Sequence, residues 1–363
     1  MPNLKAQIPS EISAISTKLK EAGFEAYLVG GCTRDLLIGR KPKDWDFTTN
    51  ATPEQIVATF GSDETFYEND FGTVTVKNPT SPRLRGAGEN DPSLQNVEIT
   101  PYRKEGKYTD KRRPDEVTWA KTLREDLERR DFTINAIAYD ISPSSAKATD
   151  GQEGQLIDPY NGQKDIKDKL IRAVGNPVER FEEDALRLLR ALRIATELGF
   201  AIESTTAAAI HGAADLLAHI AKERIQVEFT KIVMSASPLT GIAMCEKLKL
   251  MPHILPELLE GLGIEQNGDH IYHVWEHNLR AVQHSADRNW PLHVRLGALL
   301  HDVGKPATRR WSEENKDWTF YGHDVVGARM TKTALHRLKY SSEIIEKVEK
   351  LVRWHLFFTD IDK

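Results

Sequence analysis

Residues 27 to 47 read YLVGGCTRDLLIGRKPKDWDF, and the order of residue types in this stretch decides the fold class. A strand-forming run ending at Val29 meets Gly30 and Gly31, a helix-forming run follows, and two aspartates one residue apart close the stretch. The spacing predicts a short helix from Thr33 to Ile38 that Gly39 ends. In a strand, residues i and i+2 face one side, so Asp44 and Asp46 are expected to present both carboxylates together while Trp45 turns away. Two adjacent carboxylates repel unless a cation lies between them, and hard oxygen ligands suit Mg²⁺ held jointly with substrate phosphates. Gly30 and Gly31 allow the close backbone approach and positive φ of a phosphate-binding turn, and Arg34 stands where it can hydrogen-bond the same phosphate. The pair alone reads better as two exposed aspartates beside a turn; the glycines and the arginine favour the metal clamp.

Outward from this stretch, residues 10 to 22 carry Ile12, Ile15 and Leu19 at helical spacing, and the runs DWDFTT, FGTVTVK, NVEITPYR and EVTW read as strands. The segment from 78 to 95 is rich in Pro, Gly, Ser and Asn and reads as a long surface loop, and 142 to 155 is turn-rich. A second helical segment is expected over LREDLERRDFTINAIAYD, and from Asn176 onward helices dominate. The expected class is therefore α+β: a head of mixed sheet and helices, then an all-helical neck and body, then a helical C-terminal domain. Ten of the twelve histidines lie at or beyond His253, which sets a boundary within 255 to 268. The expected domains are 1–172, 173–260 and 261–363.

At 363 residues, with 40% apolar and 28% charged residues, the chain has the composition of a folded multidomain protein. It has no run of about 18 apolar residues and no basic start followed by an apolar core, so a soluble, cytoplasmic protein with no membrane partner is expected. Two cysteines, Cys32 and Cys245, exclude a disulfide framework and read as core fillers. The net charge of −5 argues against unselective nucleic-acid binding but leaves room for local basic faces such as RKEGKYTDKRR at 103 to 113.

LVGG, RD and DWDF at these separations, continued by RRDFTINAIAYD (129 to 140), LIDPYNGQKDIKDKLIR (156 to 172) and RFEEDALRLLRALRIATELGF (180 to 200), resemble the tRNA nucleotidyltransferase and bacterial poly(A) polymerase family, which includes the bacterial CCA-adding enzymes. The resemblance implies metal-dependent nucleotidyl transfer to a tRNA 3′ end from CTP and ATP, with Asp44 and Asp46 as the catalytic Mg²⁺ ligands. It implies nucleotide contacts from Gly30, Gly31, Arg34 and Arg130.

In EEDALRLLR a helix is expected to bring Asp184 and Arg187 onto one face. A carboxylate beside an arginine can imitate a base edge. Asp184 would accept from the amine of cytosine or adenine while Arg187 donates to the adjacent ring, and uracil or guanine would set a carbonyl against the carboxylate at a cost of about 1–3 kcal/mol. An ordinary surface ion pair has the same spacing; the resemblance assigns the pair to base choice. Arg190 follows at the next step toward the nucleotide, and Arg193 reads as a phosphate contact or a helix-packing residue. Asn135 and Asp131 read as local architecture, with a catalytic role for Asp131 left open. Glu98 reads either as a third carboxylate or as an exposed strand residue.

DFGTVTV (70 to 76) and the loop from 102 to 119 resemble the CCA-adding pattern, and the arginine-rich strand of poly(A) polymerases has no counterpart here. An A-adding enzyme or poly(A) polymerase of the same fold is the alternative. Near the C-terminus, HVWEHNLRAV, LLHDVGKP, FYGHDVVG and VRWHLFF resemble an HD domain. The resemblance implies a metal site of His277, His301 and Asp302, extended by His323 and His355. Imidazoles and a carboxylate suit Mn, Ni, Fe or Co better than Mg²⁺, and the site reads equally as a phosphohydrolase or as a relic that stabilises the tRNA-binding body. Asp360 and Asp362 are poor candidates for a closing aspartate. Related proteins often continue with further helices, so a shortened C-terminal end is expected.

Overall fold

The computed structural model describes residues 4–67, 72–77, 92–105, 117–141, 154–266 and 271–356. Most of the 78 to 95 loop, the middle of the 102 to 119 loop, most of the 142 to 155 segment, the end of the 255 to 268 boundary, and Asp360 and Asp362 lie outside the described residues. The chain divides into two compact units, one running through Arg180 and the other from Phe181 onward.

In the first unit, helix α1 (Ser10–Glu21) buries Ile12, Ile15 and Leu19, as their spacing requires. Strand β1 (Tyr27–Val29) leads through Gly30 into α2 (Gly31–Leu37), and β2 (Trp45–Thr49) returns antiparallel to β1. A capping box between Thr52 and Gln55 starts α3 (Pro53–Phe60). β3 (Thr65–Tyr67), β4 (Val74–Lys77) and β5 (Asn96–Pro101) extend the sheet, while β6 (Arg103–Glu105) and β7 (Val117–Trp119) form a separate ribbon. After α4 (Leu123–Glu128) come β8 (Ala138–Asp140), β9 (Gln155–Ile157) and α5 (Gly162–Asp168).

The seven-stranded sheet has the order β3-β4-β5-β2-β1-β8-β9. Only β2 and β5 pair in parallel, setting Asp46 opposite Glu98. Leu28, Phe47, Ile56, Val74, Val76, Val97 and Ile99 close with α1 into one core, each burial contributing about 1.5–3 kcal/mol.

Two expectations for this unit change. Asp44 stands one residue ahead of β2, because pairing with β5 begins at Trp45. The segment LREDLERRDFTINAIAYD is not one helix. A capping box between Thr122 and Glu125 starts α4, but the Asp131 carboxylate accepts from the Phe132 N–H (2.8 Å) and from Asn135 Nδ2 (3.0 Å), drawing the chain out of the helix. A short 3₁₀ turn (Thr133–Asn135) follows, and β8 then pairs with β1.

The second unit is helical, with α6 (Pro177–Glu183) entering it, then α7 (Leu186–Leu198), α8 (Ser204–Gly212), α9 (Lys222–Met234), α10 (Pro238–Lys247), α11 (Met251–Ile254) and α12 (Pro256–Leu259). Gly241 lets α10 approach α7 and α9: a Cβ there would lie 2.6 Å from Ile232 and 2.7 Å from Thr196. The histidine-bearing part is built from α13 (Val274–Asp287), α14 (Leu292–Leu300), α15 (Lys305–Thr308), α16 (His323–Arg337) and α17 (Ser342–Trp354). A hairpin of Arg310–Ser312 against Asp317–Thr319 interrupts this helical region, with Trp311 facing Trp318 across the pair. No helix among the described residues is long and apolar enough to cross a membrane.

Candidate active sites

The glycine turn of the head is built around a close approach. Gly30 has φ +75, and a Cβ there would sit 3.4 Å from Arg130 Nη1 and 3.6 Å from Asp46 Oδ2. The backbone thus leaves open the space between an arginine and Asp46, the half-buried member of the aspartate pair. Burial, then the facing Glu98 and the nearby Asp44, push the Asp46 carboxyl up to about 7, against the pull of Arg130. Crowded carboxylates of this kind call for a cation, and the cradle at Gly30 fits a metal held with phosphate oxygens. Glu98 is an exposed strand residue, and its register opposite Asp46 keeps the third-carboxylate reading open as well.

The two head arginines are positioned differently. Arg130 is anchored by Asp126, whose fully buried carboxylate pairs with it at 3.0 Å and with Arg129 at 2.6 Å, and also accepts from Thr48 Oγ1. The Arg130 Nε is buried and makes no hydrogen bond to the protein, and it is Nη1 that faces the space over Gly30. Burial alone would raise the Asp126 pKa, but Arg130 and Arg129 outweigh it and hold the carboxyl below the usual range. Arg34, expected on phosphate, is braced instead: its Nε and Nη2 reach Asp35 and its Nη1 reaches Asn135 at 2.9 Å. Only its remaining N–H groups are available to an anion. Asp126 went unread in the sequence, although an acid four residues before Arg130 is a helix-spacing signal.

In the second unit, Asp184 does not lie within a helix. It occupies the break between α6 and α7, because its carboxylate takes the Leu186 N–H at 3.0 Å and caps α7. Arg187 remains one turn on, its N–H bonded to the Asp184 carbonyl. Each reaches a partner other than the expected one: Asp184 pairs with Arg224 of α9 at 2.9 Å, and Arg187 with Glu183, four residues before it. Arg193 is a packing residue, paired with the buried Glu228 of α9 at 2.7 Å and with Glu197 at 3.2 Å; Arg190 stands 3.8 Å from Glu228. Arg224 lies forty positions from Asp184 and carried no local signal.

The five histidine-site candidates do meet. His277 and His301 Nε2 lie 3.3 and 3.1 Å from Asp302 Oδ2, and His323 and His355 Nε2 lie 3.3 and 3.6 Å from Oδ1. The Nδ1 atoms of His301, His323 and His355 point at the carbonyls of Ala298, Phe320 and Val352 at 2.7–2.9 Å, which leaves Nε2 as the ligand atom. His277, His301 and Asp302 form one group with ligand atoms within 4.8 Å of one another, and Asp302, His323 and His355 form a second. Among the described residues these groups alone meet that distance, so Asp44, Asp46 and Glu98 do not all three meet it together. Burial opposes ionisation of Asp302, but the hydrogen bonds from His301, His323 and His355 hold its carboxyl far below the usual range. One carboxylate shared by four imidazoles fits a divalent transition metal. Lys305, three residues after Asp302 in HDVGKP, was missed; its ammonium lies 2.7 Å from Asp302 Oδ2.

Three family descriptions match the chain in order: "Poly A polymerase head domain" over residues 26–172, "Probable RNA and SrmB- binding site of polymerase A" over 199–262, and "HD domain" over 269–362. The chain belongs to the tRNA nucleotidyltransferase and poly(A) polymerase family. Within that family it is 40% identical over 265 residues to a CCA-adding enzyme of Lactococcus lactis subsp. lactis (strain IL1403), a match covering 71% of this chain and 61% of that protein. A CCA-adding enzyme of Anoxybacillus flavithermus (strain DSM 21510 / WK1) is 40% identical over 255 residues, covering 70% and 57%. The chain thus spans less than two thirds of the curated relatives it matches. Among solved structures, the Bacillus stearothermophilus CCA-adding enzyme in complex with CTP is similar with a TM-score of 0.57 at 29% identity, over 98% of this chain and 83% of that one. The Thermotoga maritima CCA-adding enzyme complexed with tRNA shares the fold, with a TM-score of 0.64 at 20% identity, over 97% and 72%. The nucleotidyltransferase and HD families generally use metal ions.

Proposed function

We propose that this chain is a CCA-adding tRNA nucleotidyltransferase of the cytoplasm, extending the tRNA 3′ end with CTP and ATP. The observation that carries the reading is the Gly30 cradle, open between Asp46 and the Arg130 Nη1; the likeness to CCA-adding enzymes, one of them in complex with CTP, supports it. In the proposed division, 1–172 is the catalytic head, 173–260 the nucleotide-selecting neck and body, and 261–363 the HD domain.

In the reaction, the tRNA 3′-oxygen forms a bond to the α-phosphorus, the bridging bond to the β-phosphate breaks, pyrophosphate leaves and the hydroxyl proton passes to solvent. Mg²⁺ held by Asp44 and Asp46 supplies charge neutralisation on the phosphates and easier loss of that proton. Gly30 and Gly31 admit the triphosphate, Arg130 donates to it, and Arg34 positions the turn through Asn135. Asp184 and Arg187 read the base edge after exchanging Arg224 and Glu183 for the nucleotide, with Arg190 beside them; Arg193 holds α7 against α9.

The test offers the protein and Mg²⁺ three labelled tRNAs, ending before CCA, after C and after CC, with CTP, ATP or both. Growth of all three to a common CCA end only with both nucleotides is the expected outcome. Extension of the CC-ended tRNA alone means A addition, and long A tails mean a poly(A) polymerase.

A second activity is supported by the histidine–aspartate cluster: hydrolysis of a phosphoester, with Mn, Ni, Fe or Co supplying Lewis acidity. Asp302 and the Nε2 atoms of His277, His301, His323 and His355 hold the ion, and the Lys305 ammonium fixes Asp302 and adds positive charge facing the phosphate. Release of alcohol from a phosphoester that depends on added Mn²⁺ and disappears in His301→Ala is the expected result; equal rates in the variant overturn it.

A further inference from the structure

A fully buried carboxylate, Asp126 of α4, stands one side chain away from the Gly30 cradle, and its two oxygens are divided between partners. Oδ1 accepts from Nε (2.9 Å) and Nη2 (2.6 Å) of Arg129 and, at 3.5 Å, from the Arg103 N–H. Oδ2 accepts from Arg130 Nη2 at 3.0 Å and from Thr48 Oγ1 at 3.1 Å. Thr48 lies two residues beyond Asp46 in β2, so both side chains leave the same face of that strand. The strand that carries the aspartate of the metal clamp therefore also carries the hydroxyl that fixes the Asp126 carboxylate. Arg130 is gripped through Nη2, and its Nη1 is the atom turned to the space over Gly30, 3.4 Å from where a Cβ would lie. An unbraced guanidinium on a long side chain would have to be ordered by each incoming ligand, at a loss of affinity. Stability alone is a poor reason for the arrangement, because a buried ion pair gives little net gain over a well-packed apolar group.

We propose that Asp126 is a positioning residue for nucleotidyl transfer: through Thr48 and Arg130 it sets the spacing between the Asp46 carboxylate and the arginine that meets the triphosphate. This rests on the nucleotidyltransferase reading of the head. Asp126 is itself too deeply buried to touch a ligand, so it acts through Arg130. The triphosphate is common to CTP and ATP, and loss of Asp126 falls equally on both.

Steady-state incorporation by the full chain with Mg²⁺, at varied CTP, ATP and tRNA, tests this in a double-mutant cycle of Asp126→Asn with Arg130→Met. Asp126→Asn keeps the shape and an acceptor oxygen but drops the charge. In the folded variant, kcat/KM for CTP and for ATP should fall alike by about tenfold, the usual worth of a charge-assisted hydrogen bond, with the KM for tRNA unchanged. In the Arg130→Met background the same substitution should add nothing, since the group it positions is gone. A brace for the fold alone would leave every kinetic constant of the folded variant unmoved. Parental nucleotide kcat/KM in folded Asp126→Asn, or a fall of the same size with and without Arg130, overturns the proposal while the nucleotidyltransferase reading stands. Arg130→Met with parental nucleotide kcat/KM, or a parent that incorporates neither nucleotide, overturns the head-site reading and this proposal with it. Should Asp126→Asn not fold, Thr48→Val takes only the hydroxyl from Oδ2 and is expected to lower both nucleotide kcat/KM values about threefold; unchanged values there overturn the proposal.

Discussion

At the scale of single residues, the head site depends on one missing side chain and one hidden carboxylate. Gly30→Ala places a Cβ against Arg130 and Asp46 in a backbone region that side chains rarely adopt, so a stability loss of about 1–3 kcal/mol is expected in urea unfolding. Nucleotide incorporation should fall further than that loss explains; incorporation unchanged in folded variant would remove Gly30 from the site. Asp126→Ala leaves Arg129 and Arg130 without their buried partner and should cost about 3–5 kcal/mol at pH 7. Its folded pKa is depressed, so its stabilisation is complete above the ordinary aspartate value of about 3.9 and is lost as pH falls through the lower folded value. The gap between parent and Asp126→Ala should therefore narrow in acid; a constant gap from pH 7 to pH 3 contradicts the assignment. Gly30 and Asp46 followed from local signals, glycine punctuation and strand alternation, whereas Arg130 came through the family resemblance and Asp44 stands ahead of the strand that alternation gave it. The bracing of Arg34 by Asn135 was not legible, since it joins residues that only the folded sheet brings together.

Among the elements, the junction of α6 and α7 separates what composition reveals from what it hides. Helical spacing ran through Asp184 without interruption, and the break arises because a short carboxylate competes with the helix for the Leu186 N–H. This gives a way to separate structure from base choice. Asp184→Asn keeps an oxygen for the cap and should change stability little, whereas Asp184→Ala should cost about 1 kcal/mol. Both should lose the preference for CTP and ATP over UTP and GTP, measured as single-nucleotide incorporation. An Asn variant with undiminished preference would place base choice elsewhere. The expected helix over 123 to 140 failed for the same physical reason at Asp131, while the strands around Phe47, Val76 and Ile99 followed from alternation alone.

For the whole molecule, strand patterns before Asn176 and helical patterns after it foretold a sheet-bearing head and helices beyond it, and the two compact units follow that order. The short hairpin at 310 to 319 escaped notice because three-residue strands carry little pattern. Since a ligand protects the part of a protein that binds it, Mn²⁺ should slow amide exchange in α13, α16 and α17, and His301→Ala should abolish that effect without altering exchange in the β2–β5 ladder. Uniform protection in both proteins would mean the ion binds elsewhere. That ladder has a further consequence, in the order of events during folding. Its parallel pairing joins positions about fifty residues apart, so loop closure makes it a late contact compared with the α1 helix or the β1–β2 return. Asp46 and Glu98 become neighbours only at that step. A chain leaving the ribosome thus carries its aspartate pair long before the third carboxylate arrives to face it, and the fully crowded carboxylate site is a product of completed folding.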